Sequence, residues 1–246
     1  MKPATMETGT LPKLELLRVM LLSREGDRRE GILMRQGKGW FQVPSMGHEA
    51  LAAIVYHLRP DDLIFPTYRD RAMMLARGLT PREIALDFLA RTGSSSEGRN
   101  MPAHYSSRAL NVFGFATPTG SQCLPATGAA WGIKMAGDDR IVLCNIGDAA
   151  CRQGEFYEAV CFAIQERLPI VFLVEDNQYG ISTPTHHMLP MRLHVFDERW
   201  VMFVNGRDVY EVYEKGGEAV RRARRGEGPV ILWCELDRLS SHTSAD

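Results

Sequence analysis

Apolar positions recur at helical spacing near the start of the chain. Leu14, Leu17, Met20 and Leu21 predict an amphipathic helix over residues 14–36, interrupted at Gly26. A second helix is expected from about Ser45, read as its N-cap, to His57. Asp62 to Phe65 reads as a short strand, and Pro66 separates it from a helix near residues 69–77. Thr80-Pro81-Arg82-Glu83 carries a helix-start signature, with Thr as cap, Pro at the first position and Glu closing the box. Residues 93–121 lose any period and are rich in Gly, Ser, Pro and Asn, which predicts a long loop of the kind that often carries function. A helix from about Cys123 to Met135 follows. The pattern then becomes plainly α/β. Strands are expected at Arg140 to Ile146, Pro169 to Glu175, Trp200 to Val204 and Val230 to Glu235, with helices at Gly154 to Glu166 and Val209 to Arg225. Near-continuous apolar strands flanking a helix imply parallel βαβ units. With no internal repeat and no interior linker, the expectation is a loose arm over residues 1–13 and one α/β layered domain over 14–246.

Composition narrows the functional classes. The 246 residues include 29 Lys and Arg against 30 Asp and Glu, so the net charge of −1 argues against nucleic acid as a partner. The longest apolar run, Leu168 to Val174, is far too short to span a bilayer, and the first residues hold no apolar leader. The five cysteines are odd in number and contain no CxxC pair, which suggests reduced thiols rather than a disulfide framework or zinc site. A cytoplasmic chain is expected, or a mitochondrial-matrix one in a eukaryote, with no membrane association.

The candidate chemistry lies at two strand ends, because ligands of parallel α/β sheets bind outside the carboxyl ends of strands. One strand runs into Gly147-Asp148-Ala149. The other runs into Glu175-Asp176-Asn177-Gln178-Tyr179-Gly180. Asp148 and Asn177 are 29 residues apart, which one helix and one strand fill, so both side chains can reach the same sheet edge. An Asp with an Asn suits a hard cation with oxygen ligands, Mg²⁺ in particular, together with substrate phosphates. The following helix N-terminus adds partial positive charge for those phosphates. The bland alternative is a helix cap at Asp148 and a turn at Asn177. Neither a Gly-x-Gly-x-x-Gly fingerprint nor a P-loop occurs.

These strand ends resemble the thiamin diphosphate motif, Gly-Asp-Gly followed about thirty residues later by Asn. The wider sequence is similar to the alpha subunit of the dehydrogenase component of 2-oxo acid dehydrogenase complexes, of the branched-chain and pyruvate types. The segments that carry the likeness are KGWFQVPSMGHEA (38–50), FPTYRDRAMMLARG (65–78), GRNMPAHYSSRALN (98–111), ATPTGSQCLPATGAA (116–130), GDAACRQGEFYEA (147–159), EDNQYGIST (175–183), RRARRGEGP (221–229) and DRLSSHTSAD (237–246), in the family's order.

The resemblance implies a thiamin diphosphate-binding fold and roles at matching positions. Asp148, the Asn177 side chain and the Tyr179 carbonyl would bind Mg²⁺, with Gly147 and Ala149 beside them. Tyr68 and Arg69 would bind diphosphate oxygens, for which Arg offers a planar fork and Tyr a neutral donor. Phe41, Thr117 and Thr119 would line the cofactor pocket. His104 and His242 would serve at the active site, where a histidine near neutral pKa can donate to a developing oxyanion and handle a thiol proton. The other histidines carry no such implication, although His48 could lie near the pocket. The implied reaction is oxidative decarboxylation of a 2-oxo acid with acyl transfer to lipoyl-lysine on the lipoyl domain of the acyltransferase core. The carboxylate that activates the cofactor would come from a beta subunit, which implies an α2β2 heterotetramer.

The chain departs from the family pattern in several places. Ala149 replaces the second Gly of Gly-Asp-Gly, with strain expected if that position needs φ > 0. Thr119 stands where an apolar residue usually supports the cofactor, and Ser240-Ser241 replaces a Gly-containing pair. Pro184 to Trp200 is a few residues short and lacks the usual helical pattern. Family alpha subunits continue past the position of Asp246, whereas His242 lies four residues from the end of this sequence, where mobility is expected. An acetoin dehydrogenase-type alpha subunit and a non-catalytic interaction homologue remain alternatives on these residues.

Overall fold

The computed structural model describes residues 10–187, 189–190 and 193–246. In chain order its elements are α1 (Lys13–Arg35), α2 (Ala52–Val55), β1 (Leu63–Phe65), α3 (Arg71–Arg77), α4 (Pro81–Phe88), α5 (Cys123–Met135), β2 (Val142–Gly147), α6 (Gly154–Glu166), β3 (Ile170–Asp176), β4 (Tyr179–Gly180), β5 (Thr183–Pro184), β6 (Val201–Asn205), α7 (Val209–Arg224) and β7 (Val230–Glu235). Five strands form one parallel sheet in the order β1-β2-β3-β7-β6, and β4 pairs antiparallel with β5 as a separate two-residue hairpin.

Alternation along the strands feeds two cores. Ile170, Phe172 and Val174 of β3 pack with Phe156, Val160 and Ala163 of α6 and with Cys123, Ala126 and Ala130 of α5. Val171 and Leu173 face the opposite way, toward Val212, Ala219 and Val220 of α7, Ile54 of α2 and Met73 and Met74 of α3. Helices therefore cover both faces of the sheet, which is why its strands read as continuously apolar. The register sets Gly147 of β2 beside Glu175 of β3, so both strands end at the same edge. Among the described residues, no helix is long and apolar enough to cross a membrane.

Thr80 caps α4 as its sequence predicts. Its hydroxyl accepts from the Glu83 N–H, and the Glu83 carboxylate accepts from the Thr80 N–H. Two other expectations are corrected. Leu14, Leu17 and Leu21 lie on the exposed side of α1, with Leu14 85% exposed. The buried stripe is Leu16, Val19, Ser23, Asp27 and Glu30. Its second half is polar because Arg71 of α3 is buried against it, paired with Asp27 and Glu30. Ser45 caps no helix either. Its N–H and hydroxyl both donate to Asp27 Oδ2 at 2.9 Å, and residues 45–57 form only a 3₁₀ turn at Glu49–Leu51 and the short α2.

Most of the arm expected over residues 1–13 lies outside the described residues, and α1 already starts at Lys13. Among the described residues, no α-helix forms between Pro184 and Trp200.

Candidate active site

A cavity of about 310 Å³ opens at the carboxyl ends of β2 and β3. Gly147, Asp148 and Ala149 form one wall. Asn177, Tyr179 and Gly180 form the next, while Tyr68, Arg69 and His242 stand opposite, and Thr117 and Thr119 lie toward the mouth. Ten of the twelve residues expected from sequence to be at the site thus share one cavity.

Asp148 follows β2 directly and is 1% exposed. Its Oδ2 accepts from the Thr185 hydroxyl, and it forms no ion pair among the described residues. Burial pushes its carboxyl up to about 6. Asn177 ends the matching strand, where its Oδ1 accepts from the Tyr179 N–H at 3.3 Å.

Arg69 is 4% exposed and likewise has no carboxylate partner among the described residues. Its Nη1 donates to the Pro44 carbonyl at 2.7 Å. Its Nη2 donates to the His242 carbonyl at 2.9 Å and stands 2.7 Å from His242 Nδ1. A guanidinium has no acceptor, so His242 Nδ1 accepts and the ring proton of neutral His242 sits on Nε2. Burial and then the Arg69 charge lower the His242 pKa from its ordinary value. The His242 N–H also donates to Asp246, at 2.6 Å. His242 is therefore hydrogen-bonded on two sides. The 237–246 loop lies close over Met46-Gly47, where the Leu239 N–H donates to the Met46 carbonyl. Only glycine fits under it: Gly47 has φ +101, and a Cβ there would stand 1.7 Å from the Asp237 carbonyl oxygen.

Two sequence expectations fall outside the cavity wall. Phe41 is partly buried against the core on the α7 side of the sheet, and its segment reaches the site through Pro44 and His48 instead. His104 sits behind the wall, stacked on Phe115 with ring centroids 4.5 Å apart. Its Nε2 is 3.4 Å from the Thr117 hydroxyl, so it touches the cavity lining only through these two residues. Burial lowers its pKa.

The strain expected at Ala149 is absent, because this residue has φ −63 and ψ −37, ordinary right-handed backbone. Its methyl is accommodated across the site. A Cβ on Gly180 would stand 2.6 Å from the Ala149 Cβ. The two positions are a size-matched pair, and one methyl is all that fits. Gly180→Ala is expected to weaken ligand binding in the cavity about tenfold, as overpacking displaces the β4 hairpin that carries Tyr179. Ala149→Gly is expected to be near neutral, and the double variant to recover binding. A titration of all four proteins that shows additive losses would refute the pairing.

Sequence reasoning missed several site residues. Glu175 is fully enclosed and accepts from the Thr67 hydroxyl at 3.2 Å. Its Oε2 is 2.7 Å from His48 Nδ1. Burial raises Glu175 to about 7 and lowers His48 to about 3, the latter also through the Arg69 charge. Asp70, next to Arg69, accepts from the Thr67 N–H and from Asn145 Nδ2 of β2, and so fixes the Tyr68-Arg69 turn to the sheet. Burial raises Asp70 well above the ordinary range. Gln122 of the α5 start donates to the Asn145 carbonyl. A polar residue inside an apolar strand, as at Asn145, was the one available signal for this inner layer.

The sequence model of the family described as "Dehydrogenase E1 component" matches residues 17–246. The chain is 33% identical over 242 residues to the 2-oxoisovalerate dehydrogenase subunit alpha of Bacillus subtilis (strain 168), covering 95% of this chain and 73% of that protein. It is 31% identical to the pyruvate dehydrogenase E1 component subunit alpha of Rhizobium meliloti (strain 1021), covering 95% and 69%. With the mitochondrial 2-oxoisovalerate dehydrogenase subunit alpha 2 of Arabidopsis thaliana, 30% identity extends over 86% of this chain and 46% of that protein. Among solved structures, transketolase from Campylobacter jejuni superposes with a TM-score of 0.61 at 18% identity, over 89% of this chain and 37% of that one, which shows a shared fold. A parallel sheet with the transketolase fold, a polar cavity at its carboxyl edge and a family match over nearly the whole chain together place this protein in the dehydrogenase E1 component family, beside the alpha subunits of 2-oxo acid dehydrogenases.

Proposed function

We propose that the chain is the diphosphate-binding alpha subunit of a 2-oxo acid dehydrogenase, and that its cavity holds Mg²⁺ and thiamin diphosphate. The observation that carries this reading is a charge arrangement. Among the described residues, a buried carboxylate without a cationic partner, Asp148, shares one cavity with a buried guanidinium without a carboxylate partner, Arg69. Isolated buried charges are costly unless a ligand pairs them. A divalent cation beside Asp148 and a diphosphate beside Arg69 would pair both. The donor set fits this group: one carboxylate, one amide oxygen and one backbone carbonyl suit Mg²⁺ that takes its remaining ligands from phosphate and water. Among the described residues, no three His, Cys, Asp or Glu side chains form a cluster able to hold a metal alone.

When bound, the cofactor supplies the carbanion chemistry that cleaves a 2-oxo acid. The residues of this chain do the rest. Asp148, Asn177 and the Tyr179 carbonyl hold the cation. Tyr68 and Arg69 fix the diphosphate. His242 offers an Nε2–H to negative charge building on the substrate oxygen, in an orientation set by Arg69. His104 steadies Thr117 and Phe115 at the mouth.

A second chain is part of the proposal. Tyr179 and Ile181 of the cavity wall are exposed, as are Met101 and Phe113 in the 93–121 segment and Leu124, Trp131 and Met135 on α5. Exposed apolar side chains near a pocket mark an interaction surface. We assign this surface to a beta subunit in an α2β2 assembly, and the acyl product to a lipoyl domain.

The test is a calorimetric titration with thiamin diphosphate, run with Mg²⁺ and with chelator, on the chain alone and on the chain reconstituted with a beta subunit. Mg²⁺-dependent saturation in either preparation is the expected outcome. No binding in both would overturn the cofactor assignment in favour of a non-catalytic homologue. A panel of 2-oxo acids and acetoin, offered to the reconstituted enzyme, assigns the substrate.

A further inference from the structure

His48 bridges two residues whose roles differ. Its Nδ1 stands 2.7 Å from Glu175 Oε2, and its Nε2 stands 3.3 Å from Asn177 Nδ2. All three side chains are buried. Both ring nitrogens are therefore occupied, and the contacts form a chain with a direction.

The direction follows from donor chemistry. The Asn177 Nδ2 that faces His48 can only donate, so His48 Nε2 accepts and the proton of the neutral ring sits on Nδ1, facing Glu175 Oε2, while the Thr67 hydroxyl donates to the other carboxyl oxygen, Oε1. A bare Nε2 accepts only, and so holds the amino end of the Asn177 amide. The carbonyl end is then turned the other way, where Oδ1 accepts from the Tyr179 N–H and keeps a second lone pair for the cavity. An amide has nearly the same shape when flipped by 180°. The Tyr179 N–H at one end and the bare His48 Nε2 at the other select the same orientation, and an NH₂ group turned to the cavity would repel a cation.

We propose that His48 is a positioning residue that fixes the Asn177 amide with its oxygen toward the cation. The inference rests on the Mg²⁺ reading given above. It adds a residue of the cavity wall that, together with the Tyr179 N–H, sets which atom of Asn177 faces the cation. Outer partners of this kind typically change metal affinity 10–100-fold when removed.

Two variants separate this role from packing. His48→Gln keeps one donor and one acceptor, so it can still donate to Glu175 and accept from Asn177. His48→Leu keeps the bulk and loses both. The readout is the Mg²⁺ concentration giving half-maximal binding at fixed thiamin diphosphate, in the preparation that binds as wild type, with Asp148→Asn as a control. The ¹⁵N–¹H side-chain signals of Asn177 in the metal-free protein provide a second readout. His48→Leu is expected to need at least tenfold more Mg²⁺ and to shift the Asn177 amide signals. His48→Gln is expected to stay within about threefold, with signals near those of wild type.

Equal losses in both variants with lowered melting temperatures would reduce His48 to a packing residue and overturn the proposal. So would an unchanged Mg²⁺ requirement in His48→Leu. A wild type without Mg²⁺-dependent binding would instead remove the cofactor reading itself. Wild-type binding that is lost in Asp148→Asn upholds that reading and leaves His48 to be judged by its own variants.

Discussion

Asp148→Asn is expected to lower Mg²⁺-dependent affinity for thiamin diphosphate about 1,000-fold, or about 4 kcal/mol. The substitution is nearly isosteric and leaves an oxygen available, so the loss reports charge rather than shape. Asp148 is the one carboxylate in the proposed ligand set, held in a buried site where water screens little.

The same variant should behave oppositely without ligand. Burial raises the native carboxyl to about 6, above its unfolded value, so the native state binds the proton more tightly than the unfolded state does. Metal-free stability therefore falls as pH rises through the window from about 4 to about 6, and stays lowered above it. Asn carries no such penalty. Metal-free Asp148→Asn should melt above wild type at pH 8, and the difference should shrink as pH approaches 5. Cofactor binding by wild type should weaken as pH drops through about 6, because protons then compete with the cation. Calorimetry between pH 5 and 8 with parallel melting curves tests both halves. Unchanged affinity in the variant would refute the placement of the metal.

Arg69→Met is expected to weaken cofactor binding about 100-fold and also to release the 237–246 loop. Charge-assisted contacts to phosphate contribute roughly 1.5–3 kcal/mol each, so losing one or two accounts for the binding term. The loop term arises because Arg69 holds His242 at both its ring and its carbonyl. Arg69→Lys should recover only part of the loss, since an ammonium cannot span Pro44 on one side and His242 on the other as the fork does. Limited proteolysis provides the second readout, with cleavage near Arg238 expected to quicken in Arg69→Met. A loop that stays protected while binding falls would show that His242 is held without Arg69.

The strands were legible because burial on both faces makes them continuously apolar, and the α4 start because Thr80, Pro81 and Glu83 form a local code. The α1 face was misread for a physical reason. Hydrophobic periodicity locates a buried stripe only when that stripe is apolar, and here Asp27 and Glu30 point inward toward Arg71. The Ser45 misreading has the same source, since its hydroxyl serves Asp27 across 18 residues rather than a local helix end. At the site, residues that would touch a ligand were recognisable in short motifs. The roles of Glu175, Asp70 and Asn145 are set by register and tertiary distance, which one sequence does not display, and His48 was placed near the pocket without its contacts to Glu175 and Asn177. His104 illustrates the converse: its motif was visible, but its position behind Phe115 was not.

The strand order has a consequence for how the chain is made. β7 is the last of the five strands to be synthesised, yet it lies between β3 and β6. While translation proceeds, β3 presents an unpaired inner edge and β6 lacks its strand partner, although α7 can already pack on β3 and α2. The sheet must therefore wait with a gap until residues 230–235 leave the ribosome and slide in as its keystone. The vulnerable interval spans the synthesis of everything between β3 and β7, when an apolar strand such as Ile170–Asp176 can pair with a neighbouring nascent chain. Premature termination upstream of β7 would then produce a sticky half-sheet rather than a smaller folded domain.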